Sequence, residues 1–231
     1  MQCILTKEGN VDISGGVDWH VLLLRMYGAM MEALGPSHWW PAETPFEVCL
    51  GAILTQNTNW TNVDRALWNL RQAELLKPEQ LFAEDDDTIA ELIRPAGYFR
   101  VKTARLKHFL LFLRSEARFD LDKLRKQDLD KLRTKLLGVK GIGPETADSI
   151  LLYALHKPSF VVDAYTTRIM SRHGLVPETI AYERLRSFFM DVLPHDVQLF
   201  NEYHALLVRV GKRWCRKKAG LCAACPLQGL A

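Results

Sequence analysis

Leu137-Gly138-Val139-Lys140-Gly141-Ile142-Gly143-Pro144-Glu145-Thr146-Ala147-Asp148 has the pattern of a tight hairpin between two helices. On either side, Leu129 to Leu137 and Pro144 to Leu155 repeat apolar residues at three and four, the period of a helix rather than a strand. Gly141 and Gly143 flank Ile142, which can plug the turn between the packed helices. Glycine supplies the positive φ such a turn needs and leaves no Cβ to obstruct close approach. Pro144 suits the first position of a helix, where a missing N–H costs nothing. The unsatisfied amides of the turn and helix start then form a ready site for a phosphate oxygen. Backbone donors see phosphate and not base identity, so the motif implies DNA binding without sequence reading. The plainer alternative is a C-cap glycine followed by a new helix.

Outward from the hairpin the same period recurs. Trp19, Leu22, Leu23, Met26, Met30 and Leu34 mark one amphipathic helix, closed by Gly35-Pro36. Further helices are predicted at about Pro45–Thr55, Trp60–Leu70, Pro78–Phe82, Asp87–Ile93, Lys102–Arg114, Ala164–His173, Tyr182–Leu193 and Gln198–Arg213. Only Phe160 to Val162 looks strand-like, and it is too short to build a sheet. The predicted fold class is therefore all-α. No repeat and no low-complexity segment interrupts it.

Apolar content of 48% and charged content of 25% are those of a folded, soluble protein. No run approaches the ~18 apolar residues of a membrane span, and Met1 to Val17 lacks the pattern of a signal peptide. A cytoplasmic, nucleoid-associated protein is the expectation. The net charge of +3 says little about partners. Its distribution says more: Arg209, Lys212, Arg213, Arg216, Lys217 and Lys218 fall close together with no acid among them. That run reads either as a solvated tail or, beside a DNA-binding motif, as a phosphate contact.

A second segment sharpens the hairpin's meaning. Phe160-Val161-Val162-Asp163-Ala164-Tyr165-Thr166-Thr167-Arg168 is an apolar lead-in, then an aspartate at a helix start. Taken alone, Asp163 is an N-cap. Hairpin and aspartate together resemble the helix-hairpin-helix DNA glycosylases of the endonuclease III superfamily. The resemblance implies two helical subdomains flanking a DNA-binding cleft: residues 40–155, with the hairpin at 137–149, and residues 1–39 plus 156–231. It makes Asp163 the catalytic carboxylate. Cleaving an N-glycosidic bond develops oxocarbenium charge, which a carboxylate stabilises while orienting or deprotonating water. The base must first be flipped from the stack. Family members that also cut the strand carry a lysine where this chain has Glu145. An acid cannot form a Schiff base, so a monofunctional enzyme without lyase activity is expected.

Three more stretches resemble the 3-methyladenine branch of that superfamily: Trp39-Trp40-Pro41, Phe46 to Trp60, and Ile93-Arg94-Pro95-Ala96-Gly97-Tyr98-Phe99 leading to Lys102 and Arg105. The resemblance implies that Gln56 is inserted where the base leaves and that Trp39, Trp40, Pro41, Trp60 and Glu145 form the base pocket. An N3-methylated adenine is cationic, so stacking on indole faces adds ~1–2 kcal/mol where water is excluded. For each tryptophan of the pocket, core packing is the alternative. Trp19, Trp68 and Cys49 are expected in the core, and His38 in a loop. Phosphate contacts are expected from Lys140, Gly141, Ile142, Gly143 and Thr146 of the hairpin motif, and from Arg94, Lys102 and Arg105.

Cys3 and Cys49 stand alone, whereas Cys215, Cys222 and Cys225 cluster with six and two residues between them. That spacing resembles the iron–sulfur end of endonuclease III-like enzymes, whose fourth ligand would fall on Ala231. A 4Fe–4S cluster normally takes four thiolates. The readings left open are a cluster with a fourth ligand from elsewhere, a lost cluster or altered chain, and zinc held with a histidine such as His204. No cofactor is needed for hydrolysis. The expected substrate is damaged double-stranded DNA, met by a monomer, with an alkylated purine as the excised base. Two rivals stand beside this: a glycosylase for another lesion on the same scaffold, and a non-catalytic helix-hairpin-helix DNA-binding protein.

Overall fold

A computed structural model describes residues 17–230; Cys3 and Ala231 lie outside them. Twelve α-helices fill the described residues, and no β-strand occurs among them. The helices fall into two units, residues 40–157 and the chain on either side of that span.

The unit of residues 40–157 is built around α2 (Pro45–Leu54). Every residue of α2 after Pro45 is buried, as a helix apolar on all sides must be. Thr44 caps it by accepting from the Glu47 amide at 3.2 Å, and Pro45 takes the first helical position. α3 (Trp60–Gln72), α6 (Phe99–Ala117) and α9 (Pro144–Ser149) pack on α2, while α4 (Pro78–Ala83), α5 (Asp86–Leu92), a 3-10 turn at Arg94–Ala96 and α7 (Leu121–Arg125) pack on α6, and α8 (Leu129–Leu137) on α9. Asn59, Asp85, Asp120 and Asp128 cap α3, α5, α7 and α8 with their side chains. The helix expected from Pro144 to Leu155 changes pitch midway: Ile150–Ala154 is a π-helical turn. The short α7 carried too few apolar positions to be foreseen.

Trp68 departs from expectation. The buried face of α3 is Val63, Ala66, Leu67 and Leu70. Trp68 follows Leu67 by about 100° of helical rotation and is 57% exposed. Cys49 is fully buried, as expected.

The other unit contains α1 (Trp19–Leu34), α10 (Ala164–Arg172), α11 (Tyr182–Val192) and α12 (Val197–Arg213), with α12 packed on both α1 and α10. Phe160 stacks on Phe189 at 4.0 Å and meets Phe200 and Tyr203 edge-on. Trp19 is half-buried, edge-on to Phe188 at 5.3 Å. The strand-like run Phe160 to Val162 is buried without a sheet. Its amides reach side chains instead, Phe160 N–H the Met190 Sδ and Val162 N–H the Tyr182 hydroxyl, as buried backbone donors require.

Candidate active site and nucleic-acid interface

The hairpin has the geometry its glycines imply. α8 runs to Leu137, Gly141 takes φ +94°, and extended Gly143 precedes α9. Ile142 is buried and donates to the Val139 carbonyl at 3.0 Å, closing the turn. Lys140, Gly141, Gly143 and Glu145 are exposed, whereas Thr146 is buried. Gly143 has no side chain to cap α9. Arg133 of α8 grips Asp148 of α9 through two bonds of 2.8 and 2.9 Å, with Asp148 wholly buried. This bidentate pair fixes the two helices that carry the turn.

Gln56, just beyond α2, lies against the hairpin. Its Nε2 donates to the Gly141 carbonyl at 3.0 Å and to Thr146 Oγ at 2.9 Å. The Arg105 guanidinium donates to its Oε1. Arg94 pairs with Glu91 and lies over the Phe99 ring at 4.6 Å, on the surface. Lys102 does not fit the expectation of a phosphate contact. It is 1% exposed, and its ammonium donates to the Leu54 and Ala96 carbonyls at 2.8 and 2.7 Å. Those carbonyls end α2 and the 3-10 turn, where helices leave acceptors unsatisfied. Burial, with Arg105 nearby, lowers its pKa to about 8.

Trp40 and Trp60 come together, ring centroids 5.0 Å apart and near perpendicular. Tyr153, from the π-helical turn, meets Trp40 at 5.1 Å. Gly51 makes this packing fit: a Cβ there would stand 3.1 Å from the Trp40 ring. Pro41 lines a different cavity of the same unit, about 650 Å³, with Glu47, Trp68 and Arg71. Trp39 lines a cavity of about 480 Å³ in the other unit, with Tyr27, His38 and Glu202.

Asp163 is the N-cap of α10. Its Oδ1 accepts from the Thr166 amide at 2.8 Å and the Thr166 hydroxyl at 3.0 Å. Its Oδ2 faces Nε2 of buried His204 at 3.7 Å. Burial alone would raise the carboxyl, but His204 and the two Thr166 bonds outweigh it and hold the group below the usual aspartate range. The helix N-terminus adds in the same direction. His204 thus stands beside the aspartate. Sequence reasoning missed this pairing. The signal available was a histidine within the apolar face of α12 formed by Phe200, Leu207, Val208 and Gly211.

In the cysteine tail, burial raises the Cys225 thiol, with smaller upward contributions from nearby Cys215 and Cys222. The described residues include no group of three or more His, Cys, Asp or Glu arranged to hold a metal ion. They do not make the four-ligand set an iron–sulfur cluster takes. Protein bonds hold the tail to α10: Arg168 donates to the Cys215 carbonyl at 2.8 Å, and Arg172 to those of Arg216 and Lys217 at 2.7 and 3.0 Å.

Comparison with known proteins agrees with this geometry. A protein of Methanocaldococcus jannaschii, whose name places it provisionally among the DNA repair glycosylases, is 46% identical over 209 residues, covering 90% of this chain and 94% of its own. A 3-methyladenine DNA glycosylase of H. pylori, solved with 1,N6-ethenoadenine, superposes with a TM-score of 0.73 at 27% identity, covering 85% of this chain and 97% of that one. A trapped endonuclease III–DNA covalent intermediate shares the fold, with a TM-score of 0.77 at 19% identity, covering 90% and 93%. Residues 50–195, which hold both the hairpin and Asp163, match the HhH-GPD superfamily of base excision DNA repair proteins, and the chain belongs to that family.

Proposed function

We propose that this DNA glycosylase is monofunctional and excises alkylated purines of the 3-methyladenine type by hydrolysing the N-glycosidic bond. The observation that carries the chemical half of the reading is Asp163: a carboxylate kept ionised at a helix start, one oxygen fixed by Thr166 and the other facing His204. Such a group stabilises the oxocarbenium charge as the base departs and orients the attacking water. The base itself leaves easily, because methylation at N3 makes it cationic.

The aromatic wall of Trp40, Trp60 and Tyr153 suits a flat cation, and Glu145 completes the proposed pocket; Trp39 and Pro41, which line other cavities, stand outside it. The exposed hairpin turn, at Lys140, Gly141 and Gly143, holds the DNA backbone, while Gln56 fills the gap left by the flipped nucleotide. Glu145, where lyases of the family carry lysine, supports hydrolysis without strand cleavage. No step here passes through Cys215, Cys222 or Cys225, and the enzyme is read as acting as a monomer.

The test is direct. Methylated duplex DNA incubated with the protein releases 3-methyladenine, identified by chromatography, and leaves intact abasic strands. Asp163→Asn lowers release by about 10²–10⁴-fold while damaged-DNA binding persists; unimpaired release would remove Asp163 from the mechanism. Borohydride traps no covalent adduct with the native protein, whereas a trapped adduct would show lyase chemistry.

A further inference from the structure

The Gln56 carboxamide is engaged at both ends. Its amide nitrogen bonds both flanks of the hairpin, the Gly141 carbonyl and Thr146 Oγ, and its oxygen accepts from Arg105. The same arginine covers the turn, for a Cβ at Gly141 would stand 2.4 Å from Arg105 Cγ. One turn earlier on α6, Lys102 pins the Leu54 carbonyl, two residues before Gln56. Lys102 therefore holds the backbone leading to Gln56, and Arg105 holds its side chain.

We propose that Arg105 is a positioning residue that keeps Gln56 docked on the hairpin in the free protein and hands it over when DNA arrives. The exchange is of acceptors. A guanidinium bonded to a neutral amide oxygen makes a weaker contact than one bonded to a phosphate, which adds charge and bidentate geometry. The strand that docks on the Gly141 turn brings its phosphate to the place that Arg105 already covers. When the guanidinium takes that phosphate, Gln56 keeps only two neutral bonds through Nε2 and is freed to enter the stack. Insertion is thereby tied to a seated phosphate, and the side chain stays withdrawn on a protein that has not engaged DNA. The inference rests on the reading of Gln56 as the residue that fills the gap.

Two readouts on the full chain test it, using a duplex with 2-aminopurine beside an alkylated base. The first is the salt dependence of binding, in which each phosphate contact contributes about −0.9 to the slope of log K against log salt. The second is the rate of 2-aminopurine unstacking after mixing at saturating protein. Arg105→Leu should flatten the slope by about 0.9 and speed unstacking about fivefold, the effect of removing one ordinary hydrogen bond. Arg105→Lys, which keeps the charge but not the fork, should retain the slope. A native slope in Arg105→Leu, or slower unstacking in that variant, overturns the hand-over. Gln56→Ala separates the two ideas: unstacking and excision at native rates there would sink the role of Gln56 itself, whatever Arg105 does to the slope.

Discussion

Replacing Arg133 by methionine removes the two guanidinium bonds that hold the buried Asp148 carboxylate. Asp148 is wholly buried and receives two guanidinium bonds of 2.8 and 2.9 Å from an arginine whose side chain is 13% exposed. Methionine keeps most of the volume of the arginine stem, so the change is chiefly one of charge. Removing one partner of a buried pair costs about 3–5 kcal/mol, because the remaining ion keeps its desolvation penalty. In a chain of 231 residues, each kcal/mol moves Tm by about 2–4 °C, so a fall of about 6–20 °C is expected. The pair joins α8 to α9, so DNA affinity should fall as well. The double change Arg133→Met with Asp148→Leu should recover most of the loss, since buried ion pairs replaced by apolar groups are often neutral. Urea denaturation of the single and double variants measures both. A single-variant cost below about 1 kcal/mol, or a double variant as unstable as the single, refutes this account of how the hairpin is braced.

Three further outcomes can be checked. The Asp163 carboxyl is held below its usual range, so the ionised form persists on acidification and activity is lost only as pH falls through that lowered value. In His204→Leu burial acts without the imidazole, and the acid limb of single-turnover base release should move to higher pH; an unmoved limb separates His204 from Asp163. Gly51→Ala places a methyl 3.1 Å from the Trp40 ring and should weaken binding of lesion DNA relative to undamaged DNA, by about tenfold for a cost near 1.4 kcal/mol. Gly211→Ala should destabilise by about 1–3 kcal/mol in urea despite the better helix propensity of alanine, because its Cβ would lie 2.3 Å from Tyr165 on α10; a gain in stability would show that α10 and α12 part freely.

Much of the site was legible from local signals. The hairpin glycines, Pro144 and the Asp163 cap are set by backbone rules that act within a few residues, so spacing alone reveals them. Trp68 and Lys102 were misread for a different reason. A tryptophan at one step of a helix looks the same in sequence whether its neighbours face it or turn away. A lysine after Gly97-Tyr98-Phe99 likewise carries no mark of the two carbonyls that come to meet it.

The sequence by itself determined an all-α chain, a glycine hairpin between two helices and an aspartate at a helix start, because helical period and turn chemistry are properties of neighbouring residues. Only the tertiary structure decided that His204 faces Asp163, that Tyr153 joins Trp40 and Trp60, and that Gln56 is held by Arg105 and the hairpin. These residues lie far apart in the chain, and their chemistry depends on distances and burial that arise only when helices pack.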